Sequence, residues 1–201
     1  MSLRTQIQKP LTPQQLDMVD VIDREFTRAK LPPEFAAAAV VNAWYESKLN
    51  PEIKSGYSNE NSVGLFQLNI KGAGAGMVLA DGTDQRKDPV LNTQRIIEEV
   101  KSSWGKRMRE AYEAGDRNIS TYSYLFAYDI ERPADREGQG QKRAELTLEF
   151  FPEDTVNRAP IARIRSNPYP YLLTTSALVL GLALYIRFAQ PKWAAFLNRG
   201  R

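Results

Sequence analysis

The chain has 201 residues, a formal net charge of +3 and an isoelectric point near 9.1, and it contains neither cysteine nor histidine. Those two absences exclude disulfides, thiolate or imidazole zinc sites, Ser-His-Asp triads and Cys-His pairs, leaving carboxylates, hydroxyls, amides, Lys, Arg and Tyr to carry any chemistry. Glycoside cleavage needs nothing beyond carboxylic acids, and the small basic excess suits an anionic surface such as a cell wall or membrane rather than nucleic acid.

Met1 to Pro10 is polar and lacks the apolar core of a secretory signal. Thr12-Pro13-Gln14-Gln15 is a helix start, with Thr12 as cap, Pro13 in the first turn and Gln15 able to reach back. The helix it predicts runs to about Lys30, with Leu16, Val19, Ile22 and Phe26 on one face. Pro32 and Pro33 open a second helix to about Lys48, where Asn50-Pro51 forbids continuation. Ser55 to Asp88 is rich in Gly, Asn and Ser, and its apolar run Val63 to Ile70 reads as a hairpin or extended loop. Gly72 to Gly76 has no Lys-Ser/Thr pair after it and reads as a flexible loop rather than a phosphate cradle.

A third helix is expected after Asp88-Pro89, continuing past Ile96, Ile97, Val100 and Trp104 toward Tyr112. A fourth runs from Ser120 to Glu131, where Pro133 stops it, and a fifth spans about Gln141 to Phe151. Pro152 to Pro168 mixes prolines with charges and reads as a linker. From Ser166 to Ile186 no charged residue occurs, and at 1.5 Å per residue such a run reaches the roughly 18 to 20 helical residues needed to cross a bilayer core. A single membrane-spanning helix is therefore predicted, with Tyr169, Tyr171, Tyr185, Phe188 and Trp193 near its ends as interfacial aromatics. Basic residues flank both sides, Arg158, Arg163 and Arg165 before and Arg187, Lys192, Arg199 and Arg201 after, so charge asymmetry assigns no orientation.

The residue that points to chemistry is Glu46. It closes the apolar run from Phe35 to Tyr45 and precedes Ser47-Lys48-Leu49-Asn50-Pro51. A carboxyl group at the end of an otherwise core-facing helix is starved of water, which raises its pKa toward that of a useful general acid. Trp44, Tyr45, Leu65 and Phe66 are the apolar neighbours available to exclude water from it.

The helix ending in Glu46-Ser47, followed by Leu49-Asn50-Pro51, a glycine-rich loop and Ser62-Val63-Gly64-Leu65-Phe66-Gln67-Leu68, resembles the lysozyme-like superfamily of lytic transglycosylases and goose-type and phage tail lysozymes. Phe126 to Pro133, with Arg143-Ala144 downstream, is similar to the Glu-Arg-Pro segment of phage tail-type lysozymes. The resemblance covers about Pro33 to Phe151. It implies a mainly α fold, a lysozyme-like α+β domain with a small hairpin or loop lobe, here followed by the single C-terminal transmembrane helix. It also implies a cleft holding the alternating N-acetylated sugars of peptidoglycan, with Glu46 as catalytic acid and Ser62, Gly64, Gln67 and Tyr128 beside the glycan strand. The organisation expected is an N-terminal helix (1–32) packed on a catalytic domain (33–151), a Pro/Arg-rich linker (152–168), the membrane helix (169–189) and a basic tail (190–201).

A hydrolase needs a second carboxylate to activate water or form a covalent intermediate, whereas a transglycosylase lets the substrate's own hydroxyl attack while the first acid turns base. Glu52, Glu60, Asp81 and Asp84 lie in the flexible stretch, and Glu60 is the candidate second carboxylate by analogy with goose-type lysozymes. The expected partners are peptidoglycan strands, membrane lipid through the C-terminal helix, and other virion proteins or copies of the chain, with no nucleic acid, metal or cofactor. A virion-borne enzyme, delivered to the cell envelope from outside, reconciles the anchor with the missing signal. The alternative is a non-enzymatic virion or membrane protein that keeps a lysozyme-like wall-binding module.

Overall fold

The computed structural model of the protein describes residues 2–54 and 61–154. Candidate Glu60, the charge-free run from Ser166 to Ile186 and most of the predicted linker lie outside them. No helix among the described residues is long and apolar enough to cross a membrane.

The first helix, α1 (Pro13–Arg28), begins with the reciprocal capping its sequence announces. Thr12 Oγ1 accepts from the Gln15 amide at 3.3 Å, and Gln15 Oε1 accepts from the Thr12 amide at 2.9 Å. Gln15 Nε2 also donates to the Lys48 carbonyl at 3.0 Å, tying the start of α1 to the end of the next helix. Val19, Ile22 and Phe26 are buried on one face. That face packs against α2 (Pro33–Ser47) and α3 (Pro89–Lys101).

Helix α2 is the centre of the molecule. Every residue from Phe35 to Ala43 is buried, which is the pattern of a helix packed on all sides rather than on one stripe. Its small side chains, Ala36 to Ala39, let α1, α5 (Ile119–Leu125) and α6 (Arg136–Phe150) approach closely. The one polar residue in that run, Asn42, donates its amide to the carbonyls of Ala38 at 2.8 Å and Ser123 at 3.3 Å, while its Oδ1 is buried without a donor. The helix stops before Asn50-Pro51 is reached, because Lys48 and Leu49 both turn left-handed, at φ of 55° and 58°. The proline accordingly follows a stop already made.

The predicted hairpin is present in reduced form. Strand β1 (Ser62–Val63) pairs antiparallel with β2 (Leu68–Asn69), Ser62 opposite Asn69 and Val63 opposite Leu68. This lobe buries Val63, Leu65, Phe66 and Leu68 and is further held by the buried Arg86. Its Nη2 donates to Asp84 at 2.8 Å and to Asn61 Oδ1 at 3.1 Å, and its Nη1 donates to the Leu68 carbonyl at 3.1 Å.

Three boundaries differ from the sequence reading. The third predicted helix is two, α3 and α4 (Lys106–Glu113), because the Ser102 hydroxyl donates to the Glu99 carbonyl at 2.7 Å and accepts from the Trp104 amide at 3.1 Å, offering the backbone a local alternative to the helix. The fourth is α5 followed by a π-helical turn over Phe126–Glu131, with the Arg132 amide donating to the Ala127 carbonyl at 3.0 Å. The fifth begins at Arg136, where the Asp135 carboxylate accepts from the Gly138 amide at 2.9 Å.

The second helix and the hairpin lobe are joined by Ser47. Its buried hydroxyl lies 2.9 Å from the Ala43 carbonyl and 2.9 Å from the Leu65 carbonyl. Ser47→Ala removes the donor and leaves the buried Leu65 carbonyl unpaired, so denaturant unfolding is expected to show a loss of about 1–3 kcal/mol.

Candidate active site

Glu46 is the last residue but one of α2, so consecutive side chains there point to different sides. Ser47 turns inward to the Leu65 carbonyl, and the Glu46 side chain, 25% exposed, turns toward α6. There it meets Arg143, whose side chain is 2% exposed. Arg143 Nη2 contacts Glu46 Oε1 and, at 3.0 Å, also Glu131 Oε2, so one guanidinium nitrogen serves two carboxyl groups. Arg143 Nη1 donates to Gln139 Oε1 at 2.6 Å, and the guanidinium carbon lies 3.5 Å from the centre of the Tyr45 ring. The π-helical turn brings in the second carboxyl: Glu131 is its last residue, and Arg132 turns left-handed at φ 55° directly after it.

The electrostatics of the pair follow from burial. Glu131 has a side-chain exposure of only 9%, and its carboxyl is pushed up to about 8. Loss of water is the largest cause; the negative charge of Glu46 adds to it, as does a hydrogen bond from the acid form to Glu46, while the positive charge of Arg143 opposes it. With both carboxyls ionised, Glu131 Oε1 is a buried acceptor without a donor. A proton on Glu131 removes that cost. Two acids of the same chemistry are thus unequal: one reaches solvent and the other is kept inside.

The sequence-predicted residues divide between this site and its scaffold. Ser62 is buried in β1, 3.4 Å from Asn69 Nδ2. Gly64 is buried at φ +89°, and a Cβ there would lie 2.1 Å from the Arg86 carbonyl and 2.3 Å from Asn92 Nδ2, so the position admits only glycine. Gln67 spends its amide on the carbonyls of Ile53 and Gly64, each at 3.0 Å. These contacts make Gly64 and Gln67 braces of the lobe. Tyr128 stacks on Tyr124 at 5.8 Å and lies under the Arg107 guanidinium at 4.7 Å.

Of the apolar neighbours expected to shield Glu46, Leu65 and Phe66 are core, with Phe66 stacked on Phe126 at 5.9 Å. Tyr45 packs on the Arg143 guanidinium, and Trp44 meets Phe150 edge-on at 5.8 Å with Lys48 Nζ 3.5 Å from its ring centre. The loop carboxylates are engaged elsewhere: Glu52 pairs with Lys87 at 3.2 Å, Asp84 with Arg86 at 2.8 Å, and Asp81 accepts from the Thr83 amide at 2.9 Å. Sequence reading missed Glu131 and Arg143 as site residues, although both stand in the segments that carried the resemblance.

The sequence profile of the transglycosylase SLT domain matches residues 21–130. The chain belongs to this family. Comparison with curated proteins and with solved structures gives no match. Membership of the SLT-domain family supports a peptidoglycan glycosidase, with the glycan strand of peptidoglycan as substrate. The matched range includes Glu46, the hairpin and Tyr128, and it stops one residue short of Glu131.

The raised Glu131 carboxyl makes stability depend on pH. A group that binds its proton more tightly folded than unfolded contributes stability that is complete below its unfolded value of 4.5 and is lost as pH rises through the folded value of about 8. Denaturant titrations should show stability falling between those limits, and Glu131→Gln should flatten that decline.

Proposed function

We propose that this SLT-domain protein cleaves the glycan by transglycosylation, with Glu46 as acid and then base. Glu46 in its acid form protonates the oxygen joining two sugars as an oxocarbenium-like state develops, and its carboxylate then takes the proton from a hydroxyl of the same sugar as that hydroxyl closes on the anomeric carbon. The observation that carries this reading is the contrast in exposure between the two acids that meet at Arg143. The Glu46 side chain is 25% exposed, whereas that of Glu131 is 9% exposed. A hydrolase needs its second carboxylate beside the sugar, on a water or on the anomeric carbon. Among the described residues, the one brought to Glu46 is enclosed in protein, which favours the substrate's own hydroxyl as nucleophile.

Glu46→Gln should fold and lose about 10²- to 10⁴-fold of the activity on purified peptidoglycan, the usual contribution of a positioned acid. Mass spectrometry of the wild-type products should show anhydro sugar ends; reducing ends would instead indicate water as nucleophile. A folded wild type that binds peptidoglycan without cleaving it would favour a wall-binding module.

The charge-free run from Ser166 to Ile186 and the likeness of Phe126 to Pro133 to phage tail-type lysozymes support a membrane-anchored, virion-borne setting for this activity. The full chain should partition into detergent micelles or vesicles, and a chain ending at Arg165 should stay in the aqueous phase.

A further inference from the structure

The geometry points to an exchange within the site: Glu131 holds the proton that Glu46 delivers, and Arg143 transfers its ion pair from Glu46 to Glu131 as the proton crosses. This rests on Glu46 being the acid, as proposed above, and adds two residues to the reaction, Glu131 as a proton-holding partner and Arg143 as a positioning residue.

Three observations carry it. The same nitrogen, Arg143 Nη2, contacts both carboxyls, so the ion pair can pass from one to the other without the guanidinium turning. That guanidinium is fixed in place, with Gln139 on Nη1 at 2.6 Å and Tyr45 on its face at 3.5 Å. Finally, Glu131 Oε1 is buried and without a donor, a vacancy that a proton on the pair fills. Burial and the neighbouring negative charge place that proton on Glu131 at neutral pH, the carboxyl being pushed up to about 8.

The step balances. The O–H bond of Glu131 breaks, the O–H bond of Glu46 forms, and the negative charge moves from Glu46 to Glu131. During this transfer the trio keeps a net charge of zero, one guanidinium against one carboxylate. When Glu46 gives its proton to the glycosidic oxygen, both carboxylates are ionised and the trio is briefly net negative beside the positive anomeric carbon. When Glu46 takes the proton of the attacking hydroxyl, the resting charge is restored and no external proton is consumed.

The charged groups facing the trio come from three elements. The π-helical turn brings Glu131; α6 brings Arg143; α2 brings Glu46, with Lys48 just past its end. Lys48 acts electrostatically on Glu46 and Arg143, and its own proton is held less tightly than usual through loss of water and the nearby charge of Lys9, with Glu149 opposing.

The test follows side-chain carboxyl carbons by ¹³C NMR in the full chain, in detergent where needed, from pH 4 to 10 without substrate. The wild type should show one glutamate titrating far above the others. In Glu46→Gln that step should move to lower pH, because the like charge is gone and Arg143 serves Glu131 alone. Absence of the high step in the wild type, or an unmoved step in Glu46→Gln, would overturn the exchange, and neither measurement needs a variant at Glu131. The pH profile of cleavage supplies the second arm: in Glu131→Gln the alkaline limb should fall at lower pH than in the wild type. An unchanged profile there sinks the exchange and leaves Glu46 as the acid; an active Glu46→Gln sinks the functional reading while the NMR coupling can still be present.

Discussion

One guanidinium enclosed with two carboxyl groups is the constraint around which the rest of the site is arranged. Taking ions out of water costs several kcal/mol each, even after relaxation, and three such groups lie together where α2, the π-helical turn and α6 meet. Two negative charges against one positive leave an uncompensated charge in a low dielectric. A single proton cancels it, and the enclosed position of Glu131 decides where that proton sits.

The fold supplies this arrangement by fixing three backbones independently. Helix α2 is held on all sides by its neighbours, and its left-handed exit at Lys48 and Leu49 ends it just past the acid. The π-helical turn shifts the side-chain phase after Leu125 so that Glu131, rather than a neighbour, meets Arg143; widened turns of this kind recur at functional positions. Helix α6 approaches closely enough because Gly140 faces the ring of Tyr124, where a Cβ would lie 2.8 Å from the ring. Even the start of α5 is secured from afar, as the Asp154 carboxylate accepts from the amides of Ile119 at 2.8 Å and Ser120 at 2.9 Å.

What could be read in the sequence was what local chemistry decides. Thr12 with Gln15, Asp88 before Pro89, and the apolar run into Glu46 each carry their meaning within a few residues, and the structure contains the caps and the buried helix that they imply, whereas Glu46 at the helix end is a quarter exposed. The rest depended on residues distant in the chain. Glu46 and Arg143 are 97 positions apart, and a lone arginine among Gln141, Lys142 and Glu145 reads as a solvated helix face. Gly138 and Gly140, which precede the expected start near Gln141, lie within α6, one as an amide donor to its cap and the other as a contact surface. The π-helical turn has no composition of its own, so Glu131 reads as an ordinary helix end.

A fold that needed only stability would not keep this cluster. Replacing a buried ion pair with apolar side chains of similar volume is often neutral or stabilising, and α2 shows from Phe35 to Ala43 how fully this chain can fill a core. Retention of Arg143 between two acids is better understood through the reaction. A carboxyl that must be neutral before bond breaking is served by a partner that supplies its proton beforehand, and that partner must lie close, out of water and beyond reach of the substrate. Glu131 lies in such a position at the end of the π-helical turn, and Arg143 contacts both acids through one nitrogen.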